Sequence, residues 1–251
     1  MLNLVSTKSD QDQYARVRNK VTYPEALYQK LTTLCGDHHA ALDIGCGNGV
    51  SSIRLKPYFK VVNGVDLGEK LIQHAKQSYP DINFYVSKVE EFDTDQQYDL
   101  VTSATSFYWM QRELVCEKLA SWLKSGGLFC AYKYDFPVVY GPLRDFIVYE
   151  LATKWLNYRD KRLVQYDDTL EVLDASGVFS KIERFVESNI IELSVLDVAY
   201  FFLSTSYVTK YIEESGDQSY AQWFIERCHE LEKNETVKVN FDIYAFLGKT
   251  K

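Results

Sequence analysis

Ala41-Leu42-Asp43-Ile44-Gly45-Cys46-Gly47-Asn48-Gly49-Val50 decides how this chain is read, because a short apolar run there ends in three glycines at every second position. Those are three of only 12 glycines among 251 residues. Without a Cβ, glycine enters φ > 0 freely and lets another group approach the backbone. A plain tight turn between strand and helix would also use glycine. Three of them behind an acid favour a ligand.

Outward from the loop, residues 39–134 alternate between two hydrophobic periods. Residues 39–45, 60–67, 82–87, 98–106 and 128–134 read as strands. Helices are expected to start at 48–55, to cover 68–78 with Leu71, Ile72 and Ala75 on one face, and to cover 113–125. The last of these has Leu114, Val115, Leu119, Trp122 and Leu123 at helical spacing and is closed by Gly126 and Gly127. Such alternation implies right-handed crossovers and a mostly parallel sheet. In an open parallel sheet a ligand lies outside the carboxyl ends of the strands, where the glycine loop falls. Asp66 ends the second strand about 20 residues after the glycines, where an acid is placed to bind ribose hydroxyls. The ligand is therefore expected to contain adenosine. A dinucleotide loop prefers G-x-G-x-x-G; here the spacing is G-x-G-x-G with Asp43 two residues before it. A carboxylate there repels a pyrophosphate and suits a cationic amino group, which favours S-adenosylmethionine over NAD.

At these residues the chain resembles the class I S-adenosylmethionine-dependent methyltransferases. "LDIGCGNG" is similar to their first motif, Asp66 to the acid after their second strand, and "YDLVTSATSFYWM" to the strand that ends at the reaction centre. "LASWLKSGGLFCAY" is similar to their helix–Gly–Gly–strand. The resemblance spans about residues 38–134, and 237–248 is similar to the antiparallel last strand of that fold. It implies an α/β, Rossmann-like, mostly parallel seven-stranded sheet with an antiparallel last strand and helices on both faces. The cofactor-binding set it implies is Asp43, Gly45, Cys46, Gly47, Gly49, Asp66, Leu67, Lys88, Val89, Glu90 and Ala104, with Val89 and Glu90 flanking adenine. Lys88 departs from the family, which often has Asp there. "YARVRNKVTYPEALYQKL" resembles the opening of relatives of trans-aconitate methyltransferase, which points to small-molecule substrates.

Beyond Tyr134 the pattern loosens. Leu143, Phe146, Ile147, Leu151 and Trp155 mark one amphipathic helix, and 195–232 reads as helical. The expected organisation is an N-terminal helical lid (1–37), the cofactor-binding core (38–135), cap insertions at 136–165 and 194–235, a core helix and strand at 166–193, and a terminal core strand at 236–251. The cap is expected to be mostly helical.

Methyl transfer from a sulfonium is an in-line displacement, so the protein mainly supplies proximity, orientation and exclusion of water. A base is needed only for a protonated acceptor. None of the four His residues falls at a strand end facing the loop, which favours an acceptor already ionised, such as a carboxylate. No catalytic residue is assigned. Tyr14, Tyr108, Trp109 and Tyr134 are expected to contact substrate. Arg16, Arg18, Arg144, Arg159 and Arg162 are candidates to pair with an acidic one. A NAD-type oxidoreductase would need the loop to hold a pyrophosphate despite Asp43; a non-catalytic S-adenosylmethionine-binding protein would need only the site. Metal-ligand spacing is missing.

Hydrophobic residues make up 46% and charged residues 25%, an ordinary globular balance. The net charge of −7 speaks against nucleic acid as a partner. Apolar runs are too short to cross a bilayer, no signal peptide is evident, and five Cys form no C-x-x-C pair, so the cytoplasm is expected. Oligomeric state is not legible.

Overall fold

In chain order a proline, Pro24, opens helix α1 (Glu25–Leu34), and strand β1 (Ala40–Ile44) follows. The structure is a computed structural model that describes residues 17, 20–164 and 167–251. Next come α2 (Ser52–Leu55), β2 (Val61–Asp66), α3 (Glu69–Ser78), β3 (Asn83–Val86), β4 (Tyr98–Ala104), α4 (Arg112–Trp122) and β5 (Leu123–Tyr134). Then follow β6 (Val138–Val139), α5 (Leu143–Glu150), α6 (Lys161–Val164), α7 (Thr169–Ala175), β7 (Phe179–Glu187) and β8 (Ile190–Ser194). Helices α8 (Val195–Leu203), α9 (Ser206–Ser215) and α10 (Tyr220–Leu231) precede β9 (Thr236–Asn240) and β10 (Ile243–Thr250).

The chain forms two compact units. One, from 23–134, 167–187 and 243–251, holds a seven-stranded sheet in the order β3-β2-β1-β4-β5-β10-β7. Neighbours from β3 to β5 are parallel, while β10 runs antiparallel to both β5 and β7. This is the expected sheet. Strands β1 and β4 are buried at every residue, because helices cover both faces and neither face is left to water. Ala41, Leu100 and Cys130 pack with Leu27, Leu31 and Ile72 on one face; Leu42, Val101 and Phe129 pack with Val115, Trp122 and Leu173 on the other.

Several expectations need correction. Helix α1 is no lid: Leu27, Tyr28 and Leu31 are fully buried in the core of this unit. Leu71 is 47% exposed, and only Ile72 and Ala75 of the expected face are buried. Gly126 and Gly127 do not stop α4. They lie inside β5, where the pairing with β4 shifts register and Gly126 takes φ +71°. The expected strand 237–248 is two strands in different sheets, parted at Phe241 and Asp242.

The second unit comprises the described parts of 1–22, 135–166 and 188–242. Its helices accompany a three-stranded antiparallel sheet, β6-β9-β8, so the cap is less helical than the sequence implied and residues 188–193 fall in it rather than in the core. A π-helical turn, Leu151–Trp155, carries Trp155 into a cluster with Phe202, Tyr207 and Phe224. Beside it the buried Glu150 accepts from Lys154 Nζ at 2.9 Å on both oxygens and from the Tyr220 hydroxyl. A buried charge needs such a partner set.

Candidate functional site

Strands β1, β2 and β4 are neighbours running the same way, so their exits bring Gly45–Gly49, Asp66 and Ala104–Trp109 to one edge of the sheet. The loop is stitched to β2: the N–H groups of Gly45 and Cys46 both donate to the Val65 carbonyl, at 2.7 and 3.1 Å. Its three glycines all take positive φ, for different reasons. A Cβ on Gly45 would stand 2.5 Å from Ser106 Cβ, and one on Gly49 would stand 2.8 Å from the Phe84 ring, so both positions are shut by packing. A Cβ on Gly47 would meet nothing within 4 Å. Gly47 is thus the one of the three whose missing side chain leaves open space. Cys46 is buried, and burial pushes its thiol well above the usual range.

Asp43 departs from expectation. It has no solvent exposure, and its carboxylate accepts from Ser51 Oγ at 2.5 Å, Ser52 Oγ at 2.7 Å and Thr102 Oγ1 at 2.9 Å. Direct pairing with a ligand's ammonium group is closed to it in this structure. It fastens the start of α2 and strand β4 to β1. Desolvation is the main influence and lifts its carboxyl to about 6, against the opposing pull of the three hydroxyls.

Asp66 is half-buried and accepts from the N–H groups of Gly47 at 2.9 Å and Gly68 at 2.7 Å, one on each oxygen. Each oxygen keeps a lone pair for a further donor. Leu67 follows it and is 74% exposed. In the third segment Lys88 is exposed and turns to Glu91 Oε1 at 2.8 Å. Val89 is buried in the core, so its side chain does not flank an open site. Glu90 accepts from Gln111 N–H at 2.7 Å, at the start of α4. Of the apolar side chains in the expected cofactor-binding set, Leu67 is the exposed one, while Val89 and Ala104 are buried.

Ala104 ends β4, and Thr105 after it is the one described non-glycine residue with positive φ, +54°. A β-branched residue in that region is strained by about 1–3 kcal/mol and persists only when neighbours hold it. Its N–H donates to the Tyr132 carbonyl at 2.7 Å, and its hydroxyl shares a hydrogen bond with Tyr23 at 2.7 Å. Ser106 Oγ then donates to the Gly45 carbonyl at 2.8 Å. Tyr108 and Trp109 follow with ring centroids 5.0 Å apart, Trp109 being 46% exposed. Lys133 Nζ lies 5.5 Å from the Tyr108 ring centre and 2.7 Å from Asp167 Oδ2. Tyr134, at the end of β5, is half-buried. Tyr14, Arg16 and Arg18 lie outside the described residues. In the other unit Arg144 is exposed, Arg162 pairs with Asp160 at 2.8 Å, and Arg159 lies 5.4 Å from the Phe136 ring centre. A surface recess of about 670 Å³ between α4 and α7 contains none of these residues.

Sequence reasoning missed Ser51, Ser52 and Thr102 around Asp43, and the Tyr23–Thr105 pair. The adjacent serines after the glycines were the visible signal for the first. Nothing local marked the second, whose partners stand 82 positions apart.

Residues 41–127 match the family model described as a methyltransferase domain. The chain carries a methyltransferase domain. This methyltransferase is 24% identical over 238 residues to a provisionally named methyltransferase of Dictyostelium discoideum, covering 91% of this chain and 89% of that one. It is 32% identical over 93 residues to malonyl-[acyl-carrier protein] O-methyltransferase 2 of Ilyobacter polytropus, which is 35% of this chain and 36% of that protein. Among solved structures, a provisionally named type II methyltransferase from Anaeromyxobacter dehalogenans shares the fold, with a TM-score of 0.73, 21% identity and coverage of 91% and 97% of the two chains. Among the described residues no helix of the methyltransferase is long and apolar enough to cross a membrane, and no cluster of His, Cys, Asp or Glu could hold a metal ion.

Proposed function

We propose that this methyltransferase methylates a carboxylate oxygen of a small molecule, with the donor held by Gly45–Gly49, Asp66 and Leu67. When bound, S-adenosylmethionine supplies a methyl group on a sulfonium, already activated for displacement by an acceptor oxygen. The residues fit that donor: Gly47 offers unobstructed backbone, and Asp66 keeps acceptor capacity for two ribose hydroxyls beside the exposed Leu67. Asp43 supports binding at one remove by fixing the loop's flanks. Cys46 contributes backbone, and Lys88, Val89 and Glu90 shape the third segment through their own internal contacts. Ala104, Tyr108, Trp109 and Tyr134 border the acceptor side.

One observation carries the carboxylate reading. The phenols at this edge with shifted titration, Tyr23 and Tyr132, are both pushed well above their ordinary range by burial, so neither accepts a proton near neutrality. Lys133 is paired with Asp167, and Asp43 is closed off. An acceptor that arrives ionised needs no base. The likeness to an O-methyltransferase supports oxygen as the receiving atom. The same reading keeps the five buried free thiols in the reducing cytoplasm. Incubation with methyl-labelled donor and a panel of organic acids tests it. Ester products release labelled methanol on mild alkali; label that stays fixed under alkali contradicts the carboxylate acceptor.

A further inference from the structure

We infer that Tyr23 is a positioning residue: through Thr105 it holds the left-handed turn from which Ser106 clamps Gly45 of the donor-binding loop. The inference rests on the reading of that loop given above. Thr105 is held in a conformation that a β-branched residue leaves when released. Its grip comes from two sides. The Tyr132 carbonyl takes its N–H at 2.7 Å, and the Tyr23 hydroxyl meets Oγ1 at 2.7 Å.

Tyr23 is itself well placed to act as a fixed point. It precedes Pro24, and a residue before proline is confined to extended backbone. Pro24 leads directly into α1, whose Leu27, Tyr28 and Leu31 are fully buried. The Tyr23 ring stands edge-on to Tyr132 with centroids 4.9 Å apart, and the Tyr132 hydroxyl in turn meets that of Tyr28 at 3.1 Å. The phenol oxygen therefore arrives at one position relative to β5.

The next residue transmits this placement. Ser106 Oγ reaches the Gly45 carbonyl at 2.8 Å and the Ala104 carbonyl at 3.0 Å, so the turn at 105 sets where the loop is pinned. Gly45 leaves no slack, since a Cβ there would stand 2.5 Å from Ser106 Cβ. The "TYP" of the N-terminal segment thus acts on the donor loop without touching it.

The test uses the full chain, S-adenosylhomocysteine as calorimetric probe, thermal melting, and hydrogen–deuterium exchange of the peptide covering 104–110. Tyr23→Phe keeps the ring and removes the hydroxyl; the expected result is about tenfold weaker binding and faster exchange at 104–110. Tyr23→Phe combined with Thr105→Gly is expected to recover binding to within about twofold of wild type, because glycine takes positive φ without strain. A merely structural loss would lower the melting temperature and show no such recovery. Unchanged affinity in Tyr23→Phe, or a double variant binding no better than Tyr23→Phe, overturns the inference. If wild type binds no probe, the donor-site reading fails and exchange decides alone: faster exchange in Tyr23→Phe supports the positioning role, and unchanged exchange overturns it.

Discussion

Asp43 has no contact with water and three hydroxyl donors on its carboxylate, and burial raises its carboxyl to about 6. The folded protein therefore holds this proton more tightly than the unfolded chain, whose value is 3.8. The group's contribution is fully present below the unfolded value and is lost as pH rises through about 6, a change of roughly 3 kcal/mol at 1.36 kcal/mol per pKa unit. Denaturant titrations of wild type and Asp43→Asn from pH 4 to 7 should show wild type losing stability relative to the variant over that window. Parallel profiles would contradict the assignment. The glycines divide in the same way. Gly45→Ala should lower the melting temperature through its collision with Ser106, whereas Gly47→Ala should cost about 1–2 kcal/mol of backbone strain and mainly weaken binding of S-adenosylhomocysteine. Equal effects of the two on binding and on melting would show that the loop is not divided so. The sequence made the glycines and Asp66 visible, since spacing is local. It could not show that Asp43 is sealed, because burial depends on Thr102, 59 positions away.

Among the elements, those with a strong period were legible. Strands β1 to β5 show as short apolar runs between turn residues, and helix α4 shows in the spacing of Val115, Leu119 and Trp122, although Leu114 is exposed and Leu123 begins β5. What failed was whatever depended on a distant partner. Strand β9 pairs with β6 and β8, and β10 with β5 and β7, so one apolar run serves two sheets and its break at Asp242 has no periodic mark. Helix α1 lies within the expected lid, yet Leu27, Tyr28 and Leu31 have the spacing of a buried face. Strand β10 carries its own test. A Cβ on Gly248 would stand 2.5 Å from Phe179 Cγ, with that ring packed against Phe129 at 6.2 Å. Gly248→Ala should destabilise the fold by about 1–3 kcal/mol through overpacking while the folded variant binds S-adenosylhomocysteine as wild type does. Unaltered stability would mean that Phe179 yields at no cost.

Over the whole molecule, the donor was legible and the acceptor was not. The proposed donor site combines a glycine loop and an acid about 20 residues apart at adjoining strand ends, a pattern that a sequence displays directly. The acceptor contacts expected from the sequence are single aromatic residues at scattered positions, Tyr14, Tyr108, Trp109 and Tyr134, and residue type alone does not fix their chemistry. The net charge of −7 fits a small-molecule enzyme better than one that grips polyanions. The central claim is that Asp66, braced by the N–H groups of Gly47 and Gly68, holds the donor beside the open backbone of Gly47. Calorimetric titration of S-adenosylhomocysteine into wild type and Asp66→Ala tests it most directly. The variant should bind more weakly by about 1–3 kcal/mol, the cost of losing a charged hydrogen-bond partner, while still melting cooperatively. Equal affinity in the two proteins would contradict the account.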